Sequence, residues 1–214
     1  TLTRNEMMAT QIALPDHDDV FVTGIGYRAE GDFLVNNRDR LDPNTDDSMR
    51  RILKAMALAT DAYLETAEDG SVSVVGDTTE GALLVAAQKV GWSRAFLERD
   101  MPRVAELPFS SDRKAMTTVH DVESDENHRL FGSAEYVAIT KGAPDRLLAW
   151  GAFEHISTGP EPLTDHRRQA WSDQIDRMAR QGLRVLGIAY RPQAAVPQTM
   201  TPEVERDLIL IGLV

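Results

Sequence analysis

The chain has 214 residues, 42% of them hydrophobic and 27% charged, with a formal net charge of −11. That size fits one large globular domain, and no apolar stretch approaches the ~18–20 residues of a membrane helix. The acidic balance disfavours nucleic acid and an anionic membrane surface as partners, because both need a basic footprint.

The absence of cysteine removes disulfides and thiolate metal sites, and it fits a reducing cytoplasm. Five histidines, His17, His120, His128, His155 and His166, show no metal-ligand spacing. All five are expected on the surface or in loops, and no metal site is expected.

Residues 8–40 read as two or three short strands joined by turns, with β-rich runs at Val20–Val22 and Phe33–Val35. Residues 46–60 read as a helix: Asp46 or Asp47 caps it, and Met49, Ile52, Leu53 and Met56 follow helical spacing. A turn at 67–70 leads into a strand, Ser71 to Val75. Asp77 with Glu80 three residues later forms a capping box for a helix whose buried stripe is Leu83, Leu84, Ala87 and Val90, stopped by Gly91.

A short helix follows at 93–100. Strands are expected at Val104 to Leu107, Ala115 to His120 and Glu135 to Lys141, with Glu123 to His128 as a solvated hairpin loop. Lys141-Gly142-Ala143-Pro144 then joins a strand to a helix. Pro144 suits the first helical position, and a lysine beside a glycine turn and a helix end makes a sensible anion site.

Thr164 opens a long amphipathic helix with Trp171, Ile175 and Met178 on one face, ended by Gly182. Leu183 to Tyr190 reads as a strand, residues 191–202 as an irregular linker, and Asp207–Val214 as an apolar run without a cap. Hairpin-like strands with interspersed helices favour an α+β fold, an antiparallel sheet flanked by helices.

Four segments carry a family resemblance, in this order: Gly76-Asp-Thr-Thr-Glu80-Gly-Ala-Leu-Leu84, Leu107-Pro-Phe109-Ser-Ser-Asp-Arg-Lys114-Ala-Met116, Lys141-Gly142-Ala143-Pro144, and Gly182-Leu-Arg184-Val-Leu186-Gly-Ile-Ala-Tyr190. They resemble the motifs GDPTEGALL, PFxSxRKxM, KGAP and GLRVLALAY of the nucleotide-binding domain of type II P-type cation-transporting ATPases. Thr1 to Thr3 resemble the tail of the Asp-Lys-Thr-Gly-Thr-Leu-Thr motif that holds the phosphorylated aspartate.

The resemblance implies three parts: residues 1–7 as the tail of the phosphorylation-domain motif, 8–205 as the nucleotide-binding domain, and 206–214 as the start of the strand returning to the phosphorylation domain. It implies a cytoplasmic domain of an integral membrane pump that uses Mg-ATP, with the phosphorylation and actuator domains as partners. The chain would hold no catalytic residue, would bind ATP and would not turn it over. The wording of the first motif is shared with bacterial-style calcium pumps, so calcium is the first expectation for the ion. A monomer is the default. A non-catalytic adenine-nucleotide-sensing or interaction module is the alternative.

Within that resemblance each site residue has a physical task. Adenine needs a flat apolar platform, which Phe109 offers. Glu80 accepts a hydrogen bond from the base, with Thr79 beside it. Lys141 lies deep near the base, Gly142 leaves room for it, and Ala143 is small. Lys114 lies nearer the phosphates. Arg184 serves phosphate or ribose through its paired donors, and Leu186 packs on the base. Ser111 stands where better-known eukaryotic calcium pumps carry a phosphate-contacting arginine, and Lys114, Arg113 or Arg184 would have to compensate.

Overall fold

A computed structural model describes residues 6–214, so the Thr1–Thr3 motif tail lies outside the described residues. The chain opens with a four-stranded antiparallel meander, β1 (Gln11–Ile12), β2 (Val20–Val22), β3 (Phe33–Val35) and β4 (Asp39–Leu41). Helix α1 (Asp47–Leu58) follows, and the Asp46 carboxylate caps it by accepting from the Met49 N–H at 2.9 Å. A hairpin, β5 (Tyr63–Thr66) and β6 (Val72–Val75), leads to α2 (Thr78–Gln88) and α3 (Arg94–Asp100).

The main sheet begins with β7 (Arg103–Ser110) and β8 (Ala115–Asp121). After α4 (Asp125–Phe131) come β9 (Tyr136–Gly142), α5 (Pro144–Trp150), β10 (Gly151–Ile156) and β11 (Gly159–Pro162). Helix α6 (Asp165–Arg180), β12 (Gly187–Gln193) and β13 (Leu208–Leu213) complete the described chain. The seven strands run in the order β11-β10-β13-β12-β9-β8-β7, and only the β10–β13 pair is parallel.

Strand β13 explains the terminal apolar run. All six of its residues are buried. Ile209 and Ile211 face one core with Met49, Ile52 and Leu53 of α1, while Leu208 and Leu210 face a second core with Leu147 of α5 and Trp171 and Met178 of α6. Neighbouring residues of a strand point to opposite faces, so a strand covered on both sides loses its polar alternation.

Several sequence expectations need correction. Residues 123–128 are not a solvated loop: Ser124 caps α4, and Asn127 is fully buried. Strands β10 and β11 had no sequence signal. Residues 183–186 precede β12 and pair only through Leu186, which exchanges backbone hydrogen bonds with Val214 at 2.8 and 2.9 Å. The expected linker gives up Arg191–Gln193 to β12.

His120 and His155 are core residues. Burial, against the support of a hydrogen bond to the Met101 carbonyl, pushes the His120 pKa down to about 4, and burial likewise lowers His155 to about 4.

Candidate functional site

Helix α2 begins where β6 ends, and its first turn sets one wall of a cleft. The Asp77 carboxylate accepts from the N–H groups of Thr79 and Glu80 at 2.8 and 3.2 Å. Burial works against its charge, but the hydrogen bonds from Thr79 and Glu80, with the nearby Arg184 cation, outweigh it and hold its pKa below the usual carboxylate value. Asp77 is therefore a cap.

Glu80 does not complete the expected capping box. One carboxylate oxygen accepts from the backbone N–H groups of Asp61 and Ala62 at 2.8 and 2.9 Å, and the other accepts from Lys141 Nζ at 2.5 Å. The box fails because the segment before β5 brings two N–H groups within closer reach.

Strand β9 delivers Lys141 from the opposite wall at only 6% exposure. Burial pushes its pKa below the ordinary lysine value, and the Glu80 charge pulls the other way. Packing gives Gly142 a reason of its own to be small. A Cβ there would come within 2.6 Å of the Lys114 carbonyl oxygen and 2.7 Å of the Ala115 Cβ, so the constraint is strand packing against β8. The Ala143 N–H is donated to the Lys114 carbonyl at 2.8 Å, which removes it from the anion site expected at this turn.

The β7–β8 hairpin supplies the third wall. Phe109, 63% exposed, lies where the β7–β8 register shifts between Leu107 and Ser110. Lys114 closes the turn in the left-handed region at φ +56°, and its N–H bonds the Ser110 carbonyl at 2.6 Å. Ser111 is exposed in that turn. Arg113 is not free to replace an arginine at position 111, because its guanidinium pairs with Glu205 and the Pro108 carbonyl.

The cleft between these walls measures about 640 Å³, and all nine residues predicted from sequence line it. Thr79 and Glu80 come from α2, Phe109 and Lys114 from the hairpin, Lys141, Gly142 and Ala143 from the end of β9, and Arg184 and Leu186 from the segment before β12. Lys114 and Arg184 are exposed at the rim, whereas Lys141 and Leu186 lie deeper.

Sequence reasoning missed Asp61 and Ala62, which no motif marks, and did not assign Met116 although it ends the second motif. An apolar slot with a few convergent polar groups and cations at its mouth is the usual form of a site for a small charged ligand. Among the described residues no three His, Asp or Glu side chains cluster to hold a metal, and no helix is long and apolar enough to cross a membrane.

The family model described as P-type ATPase, cytoplasmic domain N, matches residues 48–214. The chain belongs to this family. A calcium-transporting ATPase of Bacillus subtilis is 34% identical over the whole chain, and a probable cation-transporting ATPase F of Mycobacterium bovis is 34% identical over the same extent. The calcium-transporting ATPase type 2C member 1 of Bos taurus is 32% identical over 90% of the chain. The chain spans about a fifth of the length of these relatives: 23%, 22% and 19% in turn.

Proposed function

We propose that this domain binds ATP in the cleft at the end of the sheet and, within a longer cation pump, presents the γ-phosphate to an aspartate on an adjoining phosphorylation domain. The observation that carries the reading is convergence: four segments distant in sequence place an exposed aromatic ring, an apolar floor and three cations around one ligand-sized space.

Phe109 stacks on adenine, with Leu186 and Met116 beneath it. Lys141 and Glu80 meet the polar edge of the base. Lys114 and Arg184 draw the phosphate chain toward the mouth, and Mg²⁺ accompanies the phosphates in the full pump. The contribution of this domain to phosphoryl transfer is positioning. Residues 1–7 then belong to the phosphorylation-domain motif, 8–205 to the nucleotide-binding domain and 206–214 to the returning strand. The relatives named as calcium-transporting favour calcium as the ion. The isolated chain binds nucleotide without turning it over.

Titration of the isotope-labelled chain with ATP, AMP and GTP, followed by NMR, tests this. Shifts around Glu80, Phe109, Lys141 and Arg184 are expected, with ATP preferred over GTP. An unperturbed spectrum at millimolar ATP would overturn the reading.

A further inference from the structure

Phe109 and Lys114 are presented by one turn, closed at its Lys114 end by the bond from the Lys114 N–H to the Ser110 carbonyl and tied to β9 through Ala143. It follows a register shift, sits on the edge strand β7, and contains a non-glycine residue at positive φ. Such conformations persist only where the surroundings over-determine them.

A further restraint, on the Phe109 side, comes from Arg113. Arg113 does not line the cleft. One end of its guanidinium donates to the carbonyl of Pro108, the residue before Phe109, and the other pairs with Glu205. Glu205 is 1% exposed and belongs to a 3₁₀ turn, Pro202–Glu205, just before β13. It also accepts from Thr117 Oγ1 at 3.0 Å, and Thr117 meets Thr140 of β9 at 2.9 Å. A carboxylate is thus buried beneath a surface turn, with its second oxygen unpartnered among the described residues. A buried ion pair is a poor source of stability, since apolar replacements of similar volume often do as well. Holding a geometry is the better account of it.

We propose that Arg113 and Glu205 are positioning residues for the nucleotide cleft, a strut that ties the Phe109–Lys114 turn to the connector entering β13. The proposal rests on the nucleotide reading above. It adds that displacement of residues 202–205 reaches the base platform and the rim lysine through one guanidinium. Ligand occupancy and the position of the connector are then linked, and each biases the other.

The test uses the 214-residue chain with Glu205→Gln, Arg113→Met and the apolar pair Arg113→Met/Glu205→Leu. Thermal unfolding, the ATP dissociation constant, and backbone heteronuclear NOE values across residues 109–115 are measured for each.

The single variants are expected to bind ATP three- to tenfold more weakly. The apolar pair should regain thermal stability relative to Arg113→Met while keeping the weakened binding and a loosened turn. Parent-like affinity and a rigid turn in the stable apolar pair would overturn the strut. If the parent chain binds no ATP, the nucleotide reading fails, and the NOE values still decide whether Arg113 and Glu205 order the turn.

Discussion

Lys54 and Lys141 are both nearly removed from solvent, at 3% and 6% exposure, and each faces a glutamate. Their surroundings differ. Lys54 of α1 also stands at the wall of a hollow, about 610 Å³ beside α3 and α4, but its donors are filled. Its ammonium meets Asn127 at 2.7 Å, Glu126 at 2.9 Å and Asp100 at 3.4 Å, with the Trp92 ring 5.7 Å away. Three donors have three acceptors, so nothing remains for a ligand. Lys141 has Glu80 alone among the described residues and stands at the wall of an open cleft. Two of its three donors have no partner among the described residues. Burial of a lysine therefore does not mark a site; burial with unfilled donors beside a cavity does.

Replacing Lys54 with Met should have the largest effect and should fall on stability alone. It strands the Oδ1 of the fully buried Asn127, whose Nδ2 keeps its bond to Asp100, while Asp100 and Glu126 can rehydrate. The expected loss is about 3 kcal/mol in urea unfolding, with ATP affinity unchanged. A loss of affinity without loss of stability would break the contrast.

Mild acid should weaken the same structural side. His120 has its folded pKa depressed to about 4 by burial, so the unfolded chain binds the extra proton first. Its contribution is intact above pH ~6.5 and is lost as pH falls toward 4. The linkage amounts to roughly 3 kcal/mol at ~1.4 kcal/mol per pKa unit. Denaturant titrations of the parent and His120→Gln between those pH values should show the variant with the flatter profile.

Effects on the cleft should be smaller in energy and visible in binding. Phe109→Ala should weaken ATP and AMP alike by about 2 kcal/mol by calorimetry, since stacking on a base is worth ~1–3 kcal/mol. The melting temperature should hold, because the ring is 63% exposed.

Lys141→Met should weaken ATP about tenfold, near 1.4 kcal/mol, and leave neutral-pH stability within ~1 kcal/mol, because Glu80 keeps its two backbone donors. The sign of its pH dependence is set by its lowered pKa. The parent should gain stability as pH rises through the folded pKa of Lys141 toward the ordinary lysine value, and the Met variant should lack that gain.

Legibility along the chain followed local chemistry. Helices α1, α2 and α6 were readable because a capping Asp or Thr and a stripe of apolar residues sit within a few positions of one another. Helix α4 was misread because its first turn is Asp-Glu-Asn-His, a solvated composition. Only packing against Lys54 shows that Asn127 is interior. Strands β10 and β11 carry His155, Glu154 and two prolines in place of a clean alternation. Their partners across the sheet and in α6, such as Arg167 and Trp171 on Glu154, supply what the pattern lacks.

By itself the sequence determined which residues would gather around one cleft: the aromatic, the lysines, the arginine and the small residues of four ordered motifs. It determined the α+β class through period and capping, which depend on neighbours within about four positions. Only the tertiary structure decided the partners. Glu80 turns to Asp61, Ala62 and Lys141 instead of its own helix end, Gly142 is small because β8 lies against it, and Arg113 reaches down to Glu205 instead of out to a phosphate. Each of those choices is set by a group distant in the chain that folding brings within hydrogen-bond or van der Waals reach. Local sequence carries no record of that distance.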